Sequence, residues 1–275
     1  MSHEKRILAD GRAVLYRGDN LDLLAAGLLK CDAIVSDPPY GIGFQHSGGG
    51  IGGLVSRGST RRNTDPIVGD DRPFDPAPWV DAAPLGPKRG SYGGEPRIVL
   101  FGADHFRARL PEYGTLLAWD KHCGRGADDS FADCEWAWCG KKVKREVFRW
   151  LWKGVIAKKT PLDRSPTKGG NGNGAARFAR VHVSQKPVEL MRWCIEKLKP
   201  PQDALILDPY MGSGSTGIAA LSLGHRFIGV EIDPGHFETA CARIESFWSG
   251  ESARPTLPPS PFSLPGEPGE PSHAG

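Results

Sequence analysis

Short apolar, β-branched runs alternate along the chain with stretches of helical period. Ala13–Tyr16, Ala33–Ser36, Arg97–Phe101, Thr115–Trp119, Ala204–Leu207 and Arg226–Ile232 each read as a buried strand, and Phe148–Trp152 as a further one. Pro187–Leu198 places Val188, Met191, Cys194 or Ile195, and Leu198 on one helical face. Its proline falls in the first turn, where a missing N–H costs nothing. A second helix follows Asp233–Pro234, an N-cap and proline pair, and buries Phe237, Cys241, Ile244 and Trp248. Strand and helix in alternation predict an α/β fold with a doubly wound, mainly parallel sheet.

Three stretches break that pattern. Gly41–Asp75 is rich in Gly and Ser, holds Arg57, Arg61 and Arg62, and reads as a functional lid or a flexible loop. Pro161–Gly174 contains the run GGNGNG and reads as flexible too. From Ser249 onward Pro, Ser, Gly and Glu dominate, a composition expected to stay disordered. The expectation is one folded domain over residues 1–248 and a tail over 249–275, with no internal repeat.

A chain of 275 residues with 39% hydrophobic positions can bury about three quarters of its unfolded surface, so it needs no staples. It has no run of eighteen apolar residues, and Met1–Arg12 lacks the apolar segment of a secretory signal. The six cysteines form no CxxC pair and read as reduced thiols of a cytoplasmic protein. His122, Cys123, Cys134 and Cys139 match no zinc spacing, so no metal is expected.

Charge is uneven. Thirty-five basic and 32 acidic residues leave only +3, yet Lys141–Lys186 holds thirteen Lys or Arg against Glu146 and Asp163. That window carries +11 and the rest of the chain −8. Such an excess is either a solvated face or a polyanion site. Phe148, Trp150, Trp152 and Phe178 are interleaved with it, as faces for bases to stack on or as core residues of strands.

Two motifs carry chemistry. Asp37-Pro38-Pro39-Tyr40 follows the apolar run Ala33-Ile34-Val35, at a strand's carboxyl end, where ligands collect in an open parallel sheet. The prolines fix φ and remove two donors, so the Asp37 carboxylate and the Pro38 carbonyl become two acceptors beside an aromatic plate. That set suits an exocyclic amine on a planar base; an Asp-capped tight turn is the plainer alternative. The second motif runs from Leu205 to Gly217, an apolar strand entering Asp208-Pro209-Tyr210-Met211-Gly212-Ser213-Gly214-Ser215-Thr216 and then a helix beginning near Thr216. Gly212, Gly214 and Gly217 match GxGxxG, and Glu231 ends the next strand at the distance of a ribose-binding acid. No Lys follows the last glycine, which excludes a Walker loop.

Together these motifs resemble the amino-group DNA methyltransferases that use S-adenosylmethionine. DPPY looks like that family's catalytic motif and DPYMGSGST like its cofactor motif, DPFxGSGT, with Tyr210 where Phe is more usual. His182-Val183-Ser184-Gln185-Lys186-Pro187 is similar to the family's HxxQKP segment, and Gly18-Asp19 to its adenine-side segment. The order of motifs resembles the permuted β group, over about Leu15–Phe247. The resemblance implies a Rossmann-like methyltransferase fold with a target-recognition insertion over about 123–180. It implies S-adenosylmethionine as cofactor and double-stranded DNA as partner, with homodimers in some members and a restriction partner in some systems. Asp37, Pro38, Pro39 and Tyr40 would be catalytic. Glu231 would hold the ribose hydroxyls, Asp19 the adenine amine, and Ser184 or Lys186 the methionine carboxylate. Gly18, Pro187, Asp208, Pro209, Tyr210, Gly212, Ser213, Gly214, Ser215 and Thr216 would line the cofactor. Lys141, Lys142, Lys144, Arg145, Arg149, Lys153, Arg177 and Arg180 would meet DNA, placing the protein at the nucleoid.

Within the family Asp at the first motif position points to adenine N6, since cytosine-N4 members more often carry Ser and RNA or protein-amide relatives Asn. Cytosine N4 is the nearest alternative. From another class, the glycine turn with Glu231 also fits a nicotinamide oxidoreductase, which leaves DPPY and the basic window without a role. A DNA-binding protein that has lost catalysis would have to explain why every proposed catalytic residue is present. Asp120-Lys121 reads as a surface pair rather than a base contact, and the acidic run Asp128–Glu135 has no assigned role.

Overall fold

The central strands are buried at successive positions, and the two apolar faces this creates decide where the helices go. A computed structural model describes residues 3–43, 68–88, 94–123, 132–153, 156–157, 167–168, 177–178 and 185–250, with only the backbone given for 153, 156, 157, 167, 168, 177 and 178. The elements in chain order are β1 (Glu4–Leu8), β2 (Ala13–Arg17), α1 (Asn20–Ala25), β3 (Ala33–Ser36), α2 (Ala77–Ala82), β4 (Ile98–Phe101), β5 (Thr115–Asp120), β6 (Cys134–Cys139), β7 (Val147–Arg149), β8 (Trp152–Lys153), β9 (Ile156–Ala157), β10 (Thr167–Lys168), β11 (Arg177–Phe178), α3 (Val188–Leu198), β12 (Leu205–Asp208), α4 (Ser215–Ser222), β13 (Arg226–Glu231) and α5 (Pro234–Trp248).

Nine strands form one sheet in the order β1-β2-β13-β12-β3-β4-β6-β5-β7. From β2 to β4 the neighbours pair in parallel, while β1 and β6 run antiparallel to the rest. Ala13, Leu15, Ala33, Val35, Val99 and Phe101 share one core with α3, α4 and α5. Their neighbours Val14, Tyr16, Ile34, Ile98 and Leu100 share the other with Leu23 of α1 and Trp79 of α2. Helices on both faces make the sheet doubly wound, as the alternation of strand and helix predicts. No described helix is long and apolar enough to cross a membrane.

The α5 helix begins at its predicted cap, where Asp233 accepts from the His236 amide at 2.8 Å. α3 starts one residue late because Pro187 takes ψ 138° and stays outside the helix as its N-cap. The expected strand Phe148–Trp152 is split: Val147–Arg149 closes the large sheet, and Trp152 opens a small antiparallel one, β10-β11-β9-β8. Within the stretch 123–180, expected as an insertion, β6 lies inside the large sheet between β4 and β5. Cys134–Cys139 shows no simple alternation, with two tryptophans and one acid among its six residues. Arg57, Arg61 and Arg62, the GGNGNG run and the tail from 251 lie outside the described residues.

Candidate active site

The carboxyl ends of β3 and β12 lie side by side where the strand order reverses, β3 leading outward to β4 and β12 outward to β13. An open α/β sheet has its ligand crevice at such a point. The two sequence motifs meet there. Ser36, the last residue of β3, donates its hydroxyl to Asp208 Oδ1 at 2.6 Å, and Thr216 at the start of α4 donates to Oδ2 at 2.6 Å. The Tyr210 amide adds a third bond to Oδ1 at 3.1 Å. Burial pushes the Asp208 carboxyl up to about 6, against the pull of these donors. Asp208, Ser213, Ser215 and Thr216 are all buried, so these polar groups shape the turn from within. Arg243 of α5 supports the same turn, donating to the Ser213 carbonyl at 2.5 Å and to its hydroxyl at 2.9 Å.

Gly214 sits at φ +79° as the N-cap of α4, and the Gly212 amide donates to Glu231 Oε2 at 2.9 Å. Glu231 Oε1 accepts from the Asp233 amide at 2.8 Å. Burial pushes the Glu231 carboxyl up to about 7. Each of its oxygens has a second lone pair, so this acid, at the end of β13, can accept two further hydroxyls. On the neighbouring strand end, Asp19 caps α1 through Oδ1, taking the Leu21 and Asp22 amides, with Gly18 just before it. Asn20 closes the corner by donating to the Pro209 carbonyl at 2.7 Å. The Tyr210 hydroxyl accepts from Trp79 Nε1 at 3.2 Å, while the edges of Phe74 and Trp79 meet its ring.

At the other end of the crevice, the Tyr40 hydroxyl donates to Asp37 Oδ1 at 2.6 Å. The ring of Tyr40 stacks on His105, centroids 4.9 Å apart. Asp70, buried, holds the chain beyond it by accepting from the Gly41 and Ile42 amides at 2.7 and 3.3 Å. Pro38 is buried and Pro39 half-buried in the turn between. Lys186 Nζ lies 2.6 Å from Asp37 Oδ2 and 3.0 Å from Glu135 Oε2, and Lys121 Nζ lies 3.2 Å from Glu135 Oε1. Burial holds the Asp37 carboxyl above its ordinary range; Lys186 opposes this and Glu135 reinforces it. Burial raises Glu135 as well, but Lys186 and Lys121 outweigh it and hold that carboxyl below the usual value. For Lys186 burial works downward, and the two carboxylates outweigh it and keep it charged.

Several expectations change. The Lys186 ammonium, expected at a cofactor carboxylate, lies between Asp37 and Glu135 at the DPPY end of the crevice. Lys121 and Asp120 are no surface pair: their side chains are only 17% and 18% exposed, and Lys121 belongs to this charge cluster. Glu135, read only as one of an acidic run, is the residue that sequence reasoning missed. Its place on β6 gave it away only once that strand was known to enter the sheet beside β4. Asp70 and His105 were missed for the same reason, since both reach Tyr40 and its turn from distant segments.

The basic window is divided. β6 runs from the catalytic end of the sheet to the opposite end, a span of about 17 Å for six residues. Lys141, Lys142, Lys144 and Arg145 follow it and therefore lie far from Asp37. The Lys141 ammonium donates to the Leu198 carbonyl at 2.7 Å, closing the end of α3, and the Lys142 amide donates to Glu95 beside the start of β4. Lys144 pairs with Glu146 at 3.3 Å, while Arg145 is exposed. Arg149, exposed and 3.5 Å from Asp120, stands at the DPPY end of the sheet. Trp152 is core, and Phe148 and Trp150 pack against it as part of the same apolar cluster. Pro187 is buried; Ser184 and Arg180 lie outside the described residues, as do the side chains of Lys153 and Arg177. Among the described residues no group of three or more His, Cys, Asp or Glu is placed to hold a metal.

Residues 116–242 match the family model described as DNA methylase, N6_N4_Mtase. A stretch of 53 residues is 47% identical to YubD of Escherichia coli (strain K12), which carries a methylase name, and covers 19% of this chain and 23% of that protein. Another of 70 residues is 39% identical to the type II methyltransferase M2.DpnII of Streptococcus pneumoniae and covers 26% of each chain. The match thus spans about a quarter of the length of these relatives. Among solved structures, the complex of M1.HpyAVI with SAM is 22% identical with a TM-score of 0.49, over 84% of this chain and 98% of that one.

Proposed function

We propose that this chain, which carries a DNA methylase domain of the N6/N4 amino-methyltransferase family, transfers a methyl group from S-adenosylmethionine to the N6 amine of an adenine flipped out of duplex DNA. The observation that carries the reading is the bond between Ser36 and Asp208, which fixes the DPPY turn and the glycine-rich turn as the two walls of one crevice.

The glycine-turn wall suits the cofactor. Glu231 would accept the ribose hydroxyls on the lone pairs its two backbone bonds leave, and Asp19 would meet the adenine amine through Oδ2, the oxygen its helix cap does not use. Gly18, Pro209, Tyr210, Gly212 and Gly214 would line the cleft between, while Asp208, Ser213, Ser215 and Thr216 hold its shape. S-Adenosylmethionine bound there supplies a sulfonium methyl already activated for direct transfer, so no cysteine nucleophile is needed.

On the other wall an exocyclic amine meets Asp37 and the Pro38 carbonyl. Its lone pair is delocalised into the base ring, which makes it a poor nucleophile. Two acceptors for its two N–H groups favour a pyramidal nitrogen and localise that pair. Asp37 Oδ1 has a lone pair beyond the one that takes the Tyr40 hydroxyl. A base within a duplex cannot reach this position, so it must leave the stack. Tyr40 would offer it the ring face that His105 does not cover. Asp37 at the first position of the DPPY motif, where the resemblance points to adenine N6, supports adenine as the target.

The test incubates the protein with S-adenosylmethionine and mixed-sequence duplex DNA, digests the product and identifies the modified nucleoside by mass spectrometry. N6-methyladenine is expected. N4-methylcytosine would replace the base assignment and keep the mechanism, and no methylated nucleoside would overturn the reading. A nicotinamide enzyme would leave Asp37, Lys186 and Glu135 with nothing to do.

A further inference from the structure

We infer that Lys186 and Glu135 are positioning residues that govern the charge on Asp37, with Lys186 holding it as a carboxylate and Glu135 competing for the same ammonium. The inference rests on the methyl-transfer role of Asp37 proposed above.

The geometry is a single ammonium shared by two acids from separate elements. Lys186 comes from the segment just before α3, Asp37 from the end of β3 and Glu135 from β6. The Lys186 side chain is 9% exposed and that of Asp37 15%, so neither charge is cheaply solvated. A buried carboxyl without a partner gives up its charge rather than stay ionised. A protonated Asp37 would carry a hydrogen on one oxygen and would no longer serve as a full acceptor for an amine. Lys186 is thus what keeps the acceptor in its working form. Glu135 tempers it: the same Nζ lies 3.0 Å from Glu135, whose other oxygen is held by Lys121. Two ammonium groups and two carboxylates balance, which explains why this cluster survives in so apolar a place.

Other groups also face Asp37. The Tyr40 hydroxyl bonds to Oδ1, with Lys186 Nζ 3.4 Å from it, and His105 stacks on the Tyr40 ring. Asp208 on β12 and Asp104 after β4 add negative charge nearby. None of these is altered, so Lys186→Met removes only the ammonium and Glu135→Gln only the competing carboxylate.

The experiment uses the full chain with Lys186→Met, Glu135→Gln and Lys186→Arg. Single-turnover methyl transfer to duplex DNA is followed from about pH 5 to about pH 9, across the range where a perturbed carboxyl titrates. In parallel, the protein labelled with carboxyl ¹³C aspartate is titrated alone, which reads the Asp37 midpoint without any turnover. Lys186→Met is expected to move that midpoint and the acid limb of the rate upward by about one unit or more, so transfer falls about tenfold on the acid side and recovers as pH rises. Glu135→Gln is expected to move both downward, and Lys186→Arg to leave them near wild type. Equal losses at every pH, or shifts in the same direction, would overturn the inference. So would weakened S-adenosylmethionine binding in Lys186→Met with the Asp37 midpoint unmoved, which would return Lys186 to the cofactor. If the wild-type protein methylates no DNA, the functional reading falls, while the ¹³C midpoints still decide the charge coupling.

Discussion

The Ser36 hydroxyl reaches Asp208 Oδ1 at 2.6 Å across the boundary between β3 and β12, and both residues are buried. This bond ties the DPPY turn to the glycine-rich turn. In Ser36→Ala the carboxylate keeps Thr216 and the Tyr210 amide but loses its link to β3. A lost bond to a charged, buried group costs about 2 kcal/mol. Urea unfolding is expected to show that loss, and methyl transfer to fall further than stability alone explains. Unchanged unfolding with unchanged turnover would mean that the two turns are positioned independently.

Gly102 follows β4 at φ +75°, and a Cβ placed there would lie 2.2 Å from Tyr40 Cε1. Gly102→Ala must therefore both strain the backbone, at about 1–2 kcal/mol, and push the ring aside. The displaced ring takes its hydroxyl away from Asp37. Misplacing a catalytic group by about 1 Å can lower a rate on the order of a hundredfold, so kcat is expected to collapse while S-adenosylmethionine binding, on the other wall, is retained. Calorimetric titration of the cofactor beside a turnover assay separates the two; equal loss of both would mean general unfolding.

Burial places the Glu231 carboxyl at about 7, so the sign of its effect is fixed. Above that pH it is ionised and, in the proposed ribose role, would accept two hydroxyls at full strength; below it, a proton occupies one of the accepting positions. S-Adenosylmethionine affinity is expected to weaken as pH falls through about 7, by about tenfold per unit at the acid extreme. Glu231→Gln should bind weakly at every pH. A flat affinity profile for the wild-type protein would remove Glu231 from the ribose site.

The two chemical motifs were legible in the sequence because each is local: DPPY and the glycine turn are short runs at strand ends. The helix over Pro234–Trp248 was legible for a related reason, since cap, proline and stripe lie within one segment. What the sequence hid is whatever arises between segments. Glu135 reads as one acid in an acidic run until β6 is seen to enter the sheet next to β4 and carry it to Lys186. Tyr210 reads as a tolerated substitute for Phe until Trp79, from α2, is seen to donate to its hydroxyl. The charge count in Lys141–Lys186 could not say which end of the sheet each charge occupies, because a sum along the chain ignores that β6 and β7 run in opposite directions.

That reversal makes the last prediction. Lys142, Lys144 and Arg145 lie at the end of the sheet opposite the crevice, whereas Arg149 stands beside Asp120 at the crevice end. A duplex presenting a flipped base to Asp37 meets the crevice end. Each phosphate neutralised there releases counterions and contributes about 0.9 to the slope of log affinity against log salt. Arg149→Ala is therefore expected to reduce that slope by about one and to weaken binding to every DNA sequence alike. The triple variant Lys142→Ala, Lys144→Ala, Arg145→Ala should leave slope and affinity near wild type, despite removing three charges to the other's one. Fluorescence anisotropy with labelled duplex over a range of salt measures both. A larger effect from the triple variant would mean that DNA wraps past the edge of the sheet to its far end.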